Sequence, residues 1–158
     1  MNQPSMNGLH APQGSMPEKE AVGRTLVDLN VANLQDVLMF RAGAIPGNQV
    51  RQVQLQGVID TGTNYLILPT AVAQQLGLPK VGEATIRYAD QRAAVRDMVE
   101  LVELQLLGRK GTYRALLEPD RQTALVGAIV LEDLDFIIDP GNQRIYPRDP
   151  QRIIAEVE

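Results

Sequence analysis

A mostly β domain with two short helices is what this sequence predicts, and three observations carry the prediction. From residue 24 onward, short apolar segments recur between clusters of Gly, Pro, Asn and Asp, the punctuation of strands and turns. Within 50–59, Val53, Leu55, Gly57 and Ile59 alternate with Gln52, Gln54 and Gln56, which is the period of two that a half-buried strand requires. Only 70–76 and 129–134 read as helical, so strands dominate. With 158 residues, 44% of them hydrophobic, the chain has the size of one domain and enough apolar mass for a core.

Taken in order, residues 1–20 are rich in Pro, Gly, Ser, Asn and Gln. Such a composition cannot offset the entropy of ordering, so a disordered tail is expected. The domain is expected over 21–150, with 151–158 as a C-terminal segment. Strands are expected at 25–31, 36–40 and 50–59, with a Gly- and Pro-containing break at 43–48. An apolar segment at 65–68 precedes a helix over 70–76, with Thr70 as candidate N-cap and Gly77 as the residue that ends it. Two strands, 84–88 and 94–107, are expected to form a long hairpin around the polar turn 89–92. The glycines at 108 and 111 predict a further turn, followed by strands at 112–117 and 123–126. A helical turn at 129–134 and a last hairpin, 136–138 with 144–146 across Asp139-Pro140-Gly141-Asn142, complete the chain. No internal repeat is visible, so any two-fold symmetry must come from a second chain.

Composition excludes several kinds of chemistry. Cysteine is absent and His10 is the single histidine, which removes disulfides, thiolate zinc sites and Ser-His or Cys-His catalysis. Glu132, Asp133 and Asp135 leave an oxygen-only metal site conceivable, but carboxylates at this spacing are more often a solvated face, and no metal or cofactor is expected. The net charge is −4 and no basic run interleaves with aromatics, so nucleic acid is not an expected partner. No apolar run approaches the ~20 residues needed to span a bilayer, and the N-terminus lacks a signal-like pattern. A soluble, cytoplasmic protein without membrane contact is expected.

The chemistry-bearing segment is Gly57-Val58-Ile59-Asp60-Thr61-Gly62-Thr63, an apolar strand that delivers a carboxylate into a tight glycine turn. Asp, Thr and Gly are common turn formers, so a purely structural turn is the bland reading. Aspartyl phosphorylation of the cation-pump kind needs a Lys that is missing here. Haloacid-type phosphotransfer needs a second Asp where this chain has Gly62. The phosphate loop of actin-like and sugar-kinase ATPases fits Asp60-Thr61-Gly62-Thr63, but those folds need two large lobes, and fewer than 100 residues remain after Thr63.

In motif, order and spacing the chain resembles the single-lobe, retropepsin-like aspartic peptidases. Asp60-Thr61-Gly62-Thr63 looks like their catalytic loop, the 84–107 hairpin takes the place of their flap, and Ala124-Leu125-Val126-Gly127-Ala128-Ile129 looks like their apolar-apolar-Gly segment. The segment 58–63 with 68–78 after it, and the run 126–140, look like the small prokaryotic members, and the resemblance covers roughly 24–147. It implies an acid-protease fold and a homodimer that hydrolyses a peptide or protein substrate. Each chain would contribute one Asp60, and the two carboxylates would share a proton across a bound water, with a rate optimum on the acidic side of neutrality. Thr61, Gly62 and Thr63 would support the loop, Tyr88, Ala89 and Asp90 would cover the substrate as the flap, and Leu125, Val126, Gly127 and Ile129 would form the pocket wall. For these apolar residues, core packing is the competing role. Terminal strands at 21–29 and 152–157 would pair in the dimer, a helical tail being the alternative for the latter. One departure stands out: retroviral flaps are glycine-rich, whereas residues 88–94 contain no glycine. The alternative to an enzyme is a peptide-binding or dimerisation module on the same fold.

Overall fold

A computed structural model describes residues 24–151 together with 156 and 157; the expected tail, residues 21–23, residues 152–155 and residue 158, and with them much of the expected terminal dimer strands, lie outside the described residues. The chain forms β1 (Thr25–Asn33), α1 (Leu34–Arg41), β2 (Gln52–Ile59), β3 (Leu66–Pro69), α2 (Thr70–Leu76), β4 (Lys80–Arg87) and β5 (Ala93–Leu106). It continues through β6 (Arg109–Glu118), β7 (Ala124–Val126), α3 (Ala128–Asp133), β8 (Phe136–Asp139) and β9 (Arg144–Pro147).

Strands β1, β2, β7, β3, β6 and β5 are neighbours in that order, and β1 also pairs with β5, which closes a six-stranded barrel. Closure leaves no free edge in the ring. Inward-facing Leu29, Val31, Leu66, Leu68, Leu104 and Val126 fill the interior, and Leu76 of α2, Val130 of α3 and Leu134 just beyond α3 belong to the same core. The alternation in β2 is as expected for Gln52 to Gln56: the glutamines are exposed while Val53 and Leu55 are partly covered. Its last three residues are buried throughout because β7 joins on that side.

The barrel does not contain β4. Strand β5 shifts register between Val99 and Val102, where Leu101 takes a left-handed φ of 60°. Such a bulge bends a strand and lets its two ends serve different partners. Its later half pairs with β1 and its earlier half with β4, so the β4–β5 hairpin projects from the barrel wall.

Three expectations of local structure are corrected. Residues 36–40 are helical, within α1, not a strand. The 99% buried side chain of Asn33 ends β1 by accepting from the Asp36 amide (3.1 Å) and donating to the Leu76 carbonyl (2.9 Å). This caps a helix with Asp36 in its first turn and Arg41 in its last. Leu38, Met39 and Phe40 remain exposed, so the apolar run that looked like a strand does not face the core. Thr70 is the first helical residue, not its cap, since Pro69 occupies the cap position. The expected turn over 108–111 is tighter: Leu107 and Gly108, at φ 49° and 80°, reverse the chain by themselves, and Arg109 already pairs with Leu106.

Two arginine anchors hold the periphery. Arg109 is buried, donates to the carbonyls of Leu134 (2.7 Å) and Asp149 (2.6 Å), and lies over the Phe136 ring, so it ties the end of α3 to the chain beyond β9. Asp36 accepts from Nε (2.8 Å) and Nη2 (3.1 Å) of Arg51 and from its amide. These bonds hold the Asp36 carboxyl below its ordinary value. A lowered folded pKa contributes stability above the unfolded value, near 3.9, and that contribution is lost as pH falls through the folded value. Asp36→Asn should therefore lower the melting temperature at pH 7 by roughly 3–5 °C, with the gap to wild type narrowing as pH falls through the lowered folded value, as a pair of thermal melts would show.

Candidate functional site

β7 lies between β2 and β3, parallel to the first in the register Gly57↔Ala124, Val58↔Leu125, Ile59↔Val126 and antiparallel to the second at Ile67↔Leu125. The link between β2 and β3 therefore emerges at the end of β7, and it carries Asp60. The Asp60 amide donates to the Val126 carbonyl (3.0 Å), so the residue is an extension of the β2–β7 ladder. Beyond it, Thr63 N–H donates to the Asp60 carbonyl (3.3 Å), closing a turn. Gly62 N–H donates to Asp60 Oδ1 (2.9 Å), which orients the carboxylate. A Cβ on Gly62 would lie 3.1 Å from that same oxygen, so glycine permits the approach.

The other side of the loop rests on Gly127. Ala128 N–H donates to the Thr63 carbonyl (2.9 Å) and Ile129 N–H to the Asn64 carbonyl (3.0 Å). A Cβ on Gly127 would fall 2.6 Å from Thr63 O, 2.7 Å from Asn64 C and closer still to Tyr65 O. Thus residues 60–65 are held at both ends by the segment 126–129, which immobilises the carboxylate.

Above this loop stands the tip of the β4–β5 hairpin. Tyr88 N–H donates to Arg92 O (2.8 Å) and Gln91 N–H to Tyr88 O (3.0 Å), with Gln91 at φ 70°. This is a three-residue hairpin loop with glutamine in the left-handed position that glycine usually takes. The tip is latched to the barrel: Tyr88 OH donates to Glu118 Oε1 (2.6 Å) at the end of β6, and Arg96 Nε donates to the same oxygen (3.2 Å). The bond to Glu118 raises the phenol pKa, since the neutral form is the donor. The latch therefore contributes stability below the phenol's ordinary value of about 10, and this is lost as pH rises through the raised folded value. Tyr88→Phe should speed amide exchange in 86–94 by about tenfold, as loss of a hydrogen bond to a charged group implies. Amides of Leu104 and Val126 in the barrel should keep their protection.

Between loop and hairpin lies a groove of about 590 Å³. Of the residues expected at the site, Asp60, Gly62, Thr63, Tyr88, Ala89 and Leu125 line it. Thr61 and Asp90 do not; Asp90 instead pairs with Arg92 within the tip. Val126 and Gly127 are buried beneath the loop, and Ile129 is exposed outside the groove. The structure adds Ile67, Ile86, Arg87, Glu118 and Arg121. Ile86 shares a strand face with Tyr88 and was legible from the period of two. Glu118 and Arg121 flank a turn far from Asp60 in sequence, and no local pattern marks them. A larger concavity of about 930 Å³ lies along β1, β2 and the β5–β6 turn; Asp28 is its one ionisable group among neutral glutamines and apolar residues, so it offers little chemistry.

Among the described residues, no group of three or more His, Cys, Asp or Glu is placed to hold a metal. Of the acids considered for one, Asp133 accepts from Tyr113 OH and Asp135 from Arg148 Nε. No helix among the described residues is long and apolar enough to cross a membrane. No model of a known protein family matches the chain, and neither does any curated protein.

Proposed function

We propose that the chain is one half of a homodimeric aspartic endopeptidase with a retropepsin-like fold. The observation that carries this reading is the placement of Asp60: a carboxylate oriented by Gly62 N–H, on a loop clamped from both ends, facing a groove roofed by a hairpin. The groove has the size of a binding site for a few side chains. Peptide hydrolysis by carboxylates needs two of them around one water, and each chain supplies one. A two-fold axis beside the loop brings the second Asp60, and like charges in contact share a proton instead of both ionising. One carboxylate then acts as general base on the water and its mate as general acid toward the carbonyl. Tyr65 and Ile129, exposed on the segments that flank the loop, offer apolar surface for that contact.

A second reading is favoured by the latched, glycine-free hairpin. A hairpin tied to Glu118 through both Tyr88 and Arg96 opens with difficulty, as suits a groove that holds a peptide without turning it over. Incubating the purified protein with a peptide mixture between about pH 4 and 7, with the oligomeric state measured by analytical ultracentrifugation, separates the two. Cleavage by a dimer supports the peptidase. A dimer without cleavage at any pH supports the binding module, and a monomer at high concentration removes the proposed mechanism.

A further inference from the structure

Arg121 is a charged group of the groove for which the peptidase mechanism has no use. Arg121 sits in the turn between β6 and β7, partly buried, and lines the same groove as Asp60 and Leu125. Its guanidinium is oriented by Thr123: Nε donates to the backbone carbonyl (3.0 Å) and one Nη to Oγ1 (3.0 Å). Arginine carries five N–H donors in a rigid fork, so these two bonds aim the head without exhausting it.

The nearby acids Glu118 and Asp60 act on Arg121 at longer range than an ion pair. Glu118 accepts from Tyr88 and Arg96, and Asp60 accepts from Gly62. Among the described residues Arg121 forms no ion pair. Partial burial pulls its pKa down, and the neighbouring Arg24 adds to this, against a weaker pull from Glu118 and Asp60. A partly buried guanidinium that is not in direct contact with a carboxylate keeps donors for an incoming one, and a bidentate charge-assisted pair would offset its desolvation. Arg87, exposed at the groove's rim, adds a second positive charge.

We infer that the groove selects peptides carrying an acidic side chain beside the bond to be cut, and that Arg121 reads that carboxylate. Leu125, Ile67 and Ile86 supply apolar wall for the stem of such a side chain, and the planar fork distinguishes Glu or Asp from its amide. The inference rests on the peptidase reading for its substrate, but the selectivity belongs to the groove and is measurable without turnover.

The test uses two pools of random dodecapeptides, one with Glu fixed at a central position and the other with Gln there. Cleavage by wild type, Arg121→Gln and Arg121→Glu is mapped by mass spectrometry. The ratio of Glu-pool to Gln-pool cleavage within each protein is the readout, independent of its absolute rate. Wild type should favour the Glu pool by about tenfold, the scale of one charge-assisted hydrogen bond. Arg121→Gln should bring the ratio to about one, and Arg121→Glu should turn preference toward sites with Lys or Arg, an inversion that a merely structural role for Arg121 would not produce. The same ratio is read as binding with an Asp60→Asn background. Cleavage with no acid preference, or a preference that survives in Arg121→Gln, overturns the inference and leaves the peptidase standing. Absence of cleavage with an Arg121-dependent preference in binding does the reverse. Failure to bind either pool overturns the inference.

Discussion

Asp60→Asn is expected to yield a folded protein whose peptide cleavage is slower by on the order of 10⁴-fold, the scale on which positioned acids and bases act. Asparagine keeps the side-chain oxygen that accepts from Gly62 N–H, so the loop retains its shape. The charge and the ionisable proton are what disappear. The thermal midpoint should stay within a few degrees of wild type, which separates lost chemistry from lost fold. Mixing gives the stricter check. If a working site needs one carboxylate from each chain, equal amounts of wild type and variant that assort freely leave about a quarter of the dimers intact, whereas independent sites would leave about half. Activity following the square of the wild-type fraction supports a shared site, and a linear dependence is incompatible with one.

The second large effect belongs to a residue with no side chain. Gly127→Ala should destabilise the protein by about 3 kcal/mol, the upper end of ordinary overpacking, because its new methyl meets backbone atoms of residues 63–65 that cannot rotate away. Gly127 itself has φ −88°, an ordinary value, so the cost is one of space and not of backbone conformation. Relief requires residues 60–65 to lift off the segment 126–129, which breaks the hydrogen bonds donated by the Ala128 and Ile129 amides. Denaturant unfolding should show the loss of stability. The fraction that remains folded should also lose activity, since the same shift moves Asp60. A variant with wild-type stability would mean that the loop is not clamped in the way described.

Much of the strand pattern was legible because it rests on local sequence. The alternation in 53–59 marked β2, Gly77 marked the end of α2 with its left-handed φ of 62°, and Asp139-Pro140-Gly141-Asn142 marked the last hairpin. The helix at 34–41 was not legible. Its apolar residues read as a strand, and the cap that decides otherwise is a buried asparagine whose second partner, the Leu76 carbonyl, lies more than forty positions away.

The sequence by itself determined a mostly β chain and singled out Asp60-Thr61-Gly62 as a carboxylate on a glycine turn, because period, turn chemistry and strand-to-loop transitions are properties of neighbouring residues. Only the tertiary structure decided that β1 and β5 close a barrel, that β7 inserts between β2 and β3 to clamp the Asp60 loop, and that Tyr88 is latched to Glu118. It alone brought Arg121 into the groove beside Asp60. Those contacts join residues remote along the chain, and their energies come from burial and pairing that exist only once the barrel has closed.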